Sequence, residues 1–168
     1  MPNETMRMSA TGFAALRQRE GAVLRYYNDA ANHCTYGVGT LAHHGPCTEE
    51  ELRRPVSVAD VNTQLIRRVG TAEVAVRRVC RNHALTQDQF DALVSFTFNT
   101  GATGARTTLD AANRGANAEV VRHINCNVWV HPRDAHGRRG PPVRLLGLVN
   151  RRREEAAAFE AQASQAGR

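Results

Sequence analysis

The 168-residue sequence contains no lysine. All 22 of its basic residues are arginine, set against 16 acidic residues, for a formal net charge of +6. A basic surface of this kind favours a polyanionic partner: nucleic acid, anionic membrane or an acidic cell wall. Charge does not choose among these, and a solvated basic surface that serves solubility is the plain alternative. No apolar run approaches about 18 residues, which excludes a transmembrane helix. Residues 1–7 are polar and lack an apolar h-region, so no ordinary secretory signal is expected. There is no internal repeat and no low-complexity tract. No zinc-finger, RRM or basic-zipper pattern is present, which argues against nucleic-acid binding. Aromatic residues are scarce, at 5%, with Trp129 the single tryptophan. What remains is ordinary for a globular chain: 42% hydrophobic and 23% charged residues, which argues against disorder. This length suits one compact domain, or two small lobes sharing a core, and can bury roughly 70% of its unfolded surface without added staples.

Four cysteines are present: Cys34, Cys47, Cys80 and Cys126. Cys80 and Cys126 lie in helical patterns and read as small buried hydrophobes. Cys34 and Cys47 have His33, His43 and His44 beside or between them. Three states are open to that cluster: a zinc site, a local disulfide, or two free thiols. The lack of paired C-x2-C or H-x3-H spacing counts against zinc.

Residues 9–20 read as a short helix, capped by Ser9 or Thr11, with Phe13 and Leu16 on one side and Gly21 as a stop. Glu20 then sits at the helix end. Residues 22–41 change character. Val23, Leu24, Tyr26, Tyr27, Tyr36 and Val38 favour strand, around the turn-prone 28–32, so a β-hairpin with a third short strand near Leu41 is expected. After Pro46 the pattern is helical. Thr48–Glu51 and Ser57–Asp60 have capping-box spacing. Val58, Val61, Leu65, Val69, Ala72, Val76 and Val79 keep a 3.6-residue period over 58–81. Thr86–Gln89 opens a further helix that ends at Gly101. Shorter helices follow near 105–113 and 117–128, then an Arg-rich loop over 131–142 and a last helix over 145–161. Trp129 is expected in the core, with stacking on a sugar as its functional alternative. Arg151, Arg152 and Glu155, a turn apart, are expected to form ion pairs. Asn99 reads as a helix cap or a groove-lining amide.

The informative stretch is 20–40. Glu20 is a carboxylate at a helix end, and Asp29 is a second at a strand tip. Thr35 begins the returning strand. A five-residue loop over 30–34 puts Asp29 and Thr35 opposite each other. Gly37 and Gly39 follow on the same face and leave a bare strip that a ligand can approach. Two carboxylates in unlike surroundings beside a groove are what glycosidic cleavage requires. Such spacing also arises by chance, and by itself it is weak.

These residues resemble the active-site stretch of the phage-type lysozymes, glycoside hydrolase family 24. In that pattern a Glu is followed after eight residues by Asp and after five more by Thr. Glu20, Gly21, Leu24, Tyr27, Asp29, Thr35, Gly37 and Gly39 match it in place. The resemblance continues at 89–96, 98–101, 108–109, 113–115 and 147–152 with Glu155, in order along nearly the whole chain. There are departures. Asn32 stands at the family's glycine, where Asn tolerates positive φ. Thr40 stands where a histidine is often found, and 131–142 resembles an insertion.

The resemblance implies an α+β, lysozyme-like fold. A small N-terminal lobe over about 12–57 carries the hairpin, a connecting helix spans about 58–81, and a mainly helical lobe covers about 82–168, with residues 1–11 packing on it. It implies an N-acetylmuramidase of the endolysin type that acts on bacterial peptidoglycan with inversion. Glu20 is then the general acid, Asp29 stabilises the oxocarbenium-like transition state and helps activate a water, and Thr35 positions that water. Gly37, Gly39 and Asn99 are the candidate substrate-binding positions. Neither a cofactor nor a metal is expected, and the protein is expected to be a monomer. It would be made in the host cytoplasm and reach the wall through a holin. The competing reading is a membrane-active protein that disrupts anionic bilayers through Arg133, Arg138, Arg139, Arg144 and Arg151, Arg152 and Arg153. Secondary contact with anionic membrane is compatible with both readings. Nucleic-acid binding through the same arginines is the weakest.

Overall fold

A computed structural model describes residues 1–21, 23–29, 32–131, 138 and 140–163. It is an α+β fold, with a small sheet near the N-terminus and helices making up most of the rest. Helix α1 (Ala10–Glu20) begins at Ser9, whose hydroxyl accepts from the Gly12 N–H at 3.0 Å. Ser9 is itself fixed by the Asp91 carboxylate through both N–H and Oγ. The helix stops at Gly21, where φ is +58°, a value a glycine adopts at no steric cost.

Strands β1 (Val23–Asn28), β2 (Cys34–Gly37) and β3 (Thr40–His43) form one antiparallel sheet in that order. Helix α2 (Glu49–Arg53) follows, opened by a full capping box between Thr48 and Glu51. Helix α3 (Val58–Val79) has 22 residues and is about 33 Å long. Its stripe of Val61, Leu65, Val69, Ala72 and Val76 is buried, while Val58 at its start is exposed. Helix α4 (Gln87–Asn113) is broken at Gly101, with φ 74° and ψ 163°, so two helices meet where the sequence ends one. Residues 92–98 are buried all round, which marks this as the central helix of the core.

Helices α5 (Asn117–Cys126) and α6 (Leu146–Ala163) close the fold, joined through a two-stranded ribbon, β4 (Trp129–Val130) and β5 (Val143–Arg144). That ribbon is unexpected, since two-residue strands carry no readable alternation. It corrects the reading of Trp129, which pairs with Arg144 and is 55% exposed rather than core. Cys126, at the end of α5, is exposed rather than buried, whereas Cys80 is buried as expected. Arg133 and Arg139 lie outside the described residues.

Residues 1–9 are tied down from within. Asn3 is 1% exposed; its amide donates to the Cys80 and His83 carbonyls and its Oδ1 accepts from the Leu85 N–H. The Met8 N–H donates to the buried Glu73 at 2.7 Å.

Candidate active site

Glu20 ends α1 with its side chain 17% exposed, and its Oε1 accepts from Arg151 Nη1 at 2.7 Å. Among the described residues no hydrogen bond reaches its Oε2. Arg151 is itself held from the core. It donates to the Ser95 carbonyl and to Glu155 Oε1, both at 3.0 Å. Glu155 is 1% exposed and also accepts from Ser95 Oγ at 2.6 Å and Arg152 Nη1 at 2.7 Å. Arg152 lies over the Phe96 ring, 4.8 Å from its centre, and donates to the Asn127 carbonyl and to Asn99 Oδ1. Desolvation by burial pulls the Arg152 guanidinium below its ordinary range, while Glu155 opposes this. The expected ion pairs among 151–155 are therefore present, with one addition. They reach 131 residues back to Glu20, a link that local spacing cannot reveal.

Asp29 follows β1. Its N–H donates to the His33 carbonyl at 3.0 Å, and Asn32 has φ +60°. The strands are joined by five residues, 29–33, set one position earlier than the 30–34 expected. As a result, Thr35 stands opposite Tyr27 and Cys34 opposite Asn28. A shift of two residues keeps the same face, so Asp29 still reaches Thr35 diagonally. Asp29 Oδ1 accepts from the His33 N–H at 2.9 Å, and Oδ2 from Thr35 Oγ1 at 3.4 Å. Thr35 is 3% exposed, and its hydroxyl also lies 3.2 Å from the His33 carbonyl. One hydroxyl proton serves one of these acceptors at a time, which leaves the oxygen's lone pairs as acceptors. The His33 N–H was not foreseen, because a backbone donor leaves no mark in residue identity.

The glycines act differently from expectation. Gly37 has φ +62°, and a Cβ there would meet Gln64 Oε1 at 2.8 Å and Val61 at 3.2 Å. The strip is thus covered by α3 rather than left bare. Thr40 donates to that same Gln64 oxygen at 2.7 Å, which gives this departure from the family pattern a structural use. Gly39, at φ +79°, lies in the turn between β2 and β3. Asn99 is exposed, with its Oδ1 engaged by Arg152.

Cys34 and Cys47 form a disulfide with Cα atoms 4.6 Å apart, which decides among the three states left open for that pair. Around it the Cys47 N–H donates to Asn28 Oδ1 at 2.7 Å and the Cys34 N–H to the Gly45 carbonyl at 2.8 Å. The base of the Asp29 loop is thereby tied to 45–47.

A helix-end carboxylate beside a guanidinium, and a strand-end carboxylate beside a hydroxyl on a small sheet, suit a glycosidase. The comparisons with known proteins agree. The family model described as phage lysozyme matches residues 17–155. An endolysin of Acyrthosiphon pisum secondary endosymbiont phage 1 is 30% identical over 166 residues, covering 92% of this chain and 99% of that protein. Among solved structures, an endolysin from Escherichia coli O157:H7 phage FAHEc1 superposes with a TM-score of 0.75 at 28% identity, covering 94% of this chain and 96% of that one. A mutant of P22 lysozyme gives 0.65 at 25% identity, covering 92% and 99%. The chain belongs to the phage lysozyme family. It is a lysozyme, a peptidoglycan-hydrolysing enzyme of the endolysin type. No helix of the described residues is long and apolar enough to cross a membrane.

Proposed function

We propose that the enzyme cleaves the β-1,4 bond between N-acetylmuramic acid and N-acetylglucosamine with inversion, using Glu20, Asp29 and Thr35. The observation that carries this is the placement of the two carboxylates, Glu20 against a guanidinium at a helix end and Asp29 beside the Thr35 hydroxyl on the sheet. Among the described residues Glu20 is gripped through Oε1, and Oε2 is the oxygen proposed to carry the proton given to the leaving glycosidic oxygen. As that proton departs, the charge left on Glu20 is met by Arg151. Asp29 accepts from the His33 N–H and the Thr35 hydroxyl, and its carboxylate stabilises the oxocarbenium-like transition state. A water between the carboxylates attacks the far face of the sugar, as inversion requires, and Thr35 offers it an acceptor. In the same reading the protein is made in the host cytoplasm, reaches the wall once a holin opens the membrane, and works as a monomer without a cofactor.

Digestion of purified peptidoglycan by the parent and by Glu20→Gln tests this. The parent should leave muramic acid at the new reducing end by mass spectrometry, with the α anomer first in proton NMR. The near-isosteric variant should keep its circular dichroism melt and lose at least about a hundredfold in rate, the scale of general-acid catalysis. A glucosamine end or an early β anomer would overturn the bond or the stereochemistry. Near-parental hydrolysis would move the acid elsewhere. A Glu20→Gln variant that still kills permeabilised cells at the parental dose would replace hydrolysis with bilayer disruption as the lethal act.

A further inference from the structure

The disulfide does not stand alone. Cys34 Sγ, a ring nitrogen of His43 and a carboxylate oxygen of Glu51 all lie within 4.8 Å of one another, and Cys47 Sγ is bonded to Cys34 Sγ. The four residues come from β2, β3, the 44–48 connection and the first turn of α2. None of them has a part in the proposed hydrolysis.

We infer that, once this disulfide is reduced, Cys34, Cys47, His43 and Glu51 form a four-coordinate structural site for a zinc-class divalent cation, which takes over from the covalent bridge in tying the sheet to α2.

The chemistry of the donors selects this class of ion. Two thiolates, an imidazole and a carboxylate are ligands that zinc accepts in tetrahedral array. Donors at zinc distances lie roughly 3.3–3.8 Å from one another in such a geometry, so the present spread closes with side-chain rotation.

The two non-sulfur donors are already aimed. His43 Nδ1 donates to the His44 carbonyl at 3.1 Å and Nε2 points at both Glu51 oxygens, each at 3.1 Å. A backbone carbonyl on Nδ1 is the outer support that fixes an imidazole to bind metal through Nε2. Glu51 Oε2 is anchored in turn by the Thr48 N–H at 2.8 Å and hydroxyl at 3.0 Å. The proton between imidazole and carboxylate marks the place a cation would take. His33 is excluded from the set, because its Nδ1 accepts from the Gly45 N–H at 3.0 Å.

The steps balance. A dithiol reductant passes two electrons and two protons to the Cys34–Cys47 bond, which breaks to give two thiols while the dithiol closes to a disulfide. The cation then binds both sulfurs, His43 Nε2 and Glu51, and releases three protons: one from each thiol and the one held between His43 and Glu51. Reducing compartments hold thiols in the unbridged state that this requires.

The test uses the whole chain with Cys126→Ser, which removes the remaining exposed thiol; Cys80 is buried. After reduction with dithiothreitol and anaerobic desalting, the protein is titrated with Co2+ and then Zn2+. One equivalent of Co2+ should give a thiolate charge-transfer band and the strong visible absorption of a tetrahedral site. Zn2+ should bleach both and raise the melting midpoint of the reduced protein. The oxidised protein should show neither change. His43→Ala and Glu51→Gln, first shown by circular dichroism to be folded while oxidised, should each weaken Zn2+ binding by at least about tenfold after reduction. Gln at 51 keeps the capping box, so its loss reports the ligand and not the helix. Absence of the charge-transfer band from the reduced parent would overturn the site. So would Zn2+ affinity unchanged in both variants, or an equal response from the oxidised protein.

Discussion

Single side chains decide how Glu20 is presented. Glu155 is the buried anion on which two arginines converge, and one of them, Arg151, is the partner of Glu20. Removing one member of a buried ion cluster leaves the rest uncompensated, typically at 3–5 kcal/mol. Glu155→Gln keeps the shape and removes the charge. It should lower unfolding free energy by about 3 kcal/mol or more in urea, and it should lower kcat at temperatures where the variant is still folded, because Arg151 loses one of its anchors. An unchanged urea midpoint would show that the arginines find other partners. Much of this was legible. The three residues stand a turn apart in the sequence, and Glu20, Asp29 and Thr35 stand at readable intervals. The Arg151–Glu20 contact was not, since it depends on how α6 lies against α1. Nor was the diagonal approach of Asp29 to Thr35, which depends on a register that sets Thr35 opposite Tyr27 rather than Asp29.

Among the elements, those with caps and strong periodicity were read closely from sequence. Ser9, Thr48, Ser57 and Thr86 each accept from a backbone N–H in the first turn of the helix they open. What escaped were features set by packing. The β4–β5 ribbon is too short to alternate, and Gly37 serves the fit of Gln64 from α3 rather than an open strip. The disulfide was one of three states left open for Cys34 and Cys47, because sequence gives proximity of cysteines along the chain but not the approach of their Cα atoms. It joins positions 13 apart at the base of the Asp29 loop. Closing a loop of that size restricts the unfolded chain by up to about 3 kcal/mol. The double variant Cys34→Ser, Cys47→Ser should unfold at correspondingly lower denaturant. Its turnover on peptidoglycan should stay near parental, because no thiol takes part in glycoside cleavage. A loss of kcat with parental stability would mean that the bridge positions Asp29 rather than only securing the sheet.

At the scale of the whole molecule, the charge of +6 acts through distance. Many acidic groups are already matched locally, as in Arg19–Glu154, Arg53–Glu49, Arg106–Asp110 and Arg114–Glu119. Exposed pairs of this kind add little stability, but they cancel nearby charge and leave the basic excess spread over the surface. Arg17, Arg67, Arg78, Arg144 and Arg153 are all exposed. Such a field raises encounter with an acidic wall without changing the chemical step. Its reach falls from about 30 Å at 0.01 M salt to about 8 Å at 0.15 M. Clearance of whole walls should therefore slow as salt rises, while hydrolysis of a short neutral glycan should change much less. Replacing Arg78, Arg144 and Arg153 with Gln should flatten the first curve and leave the second alone, since among the described residues none of the three touches Glu20 or Asp29. If both substrates slowed equally with salt, screening would be acting on the site itself. The Arg151–Glu20 pair would then be the place to look, because among the described residues it is the ion pair made by the proposed proton donor.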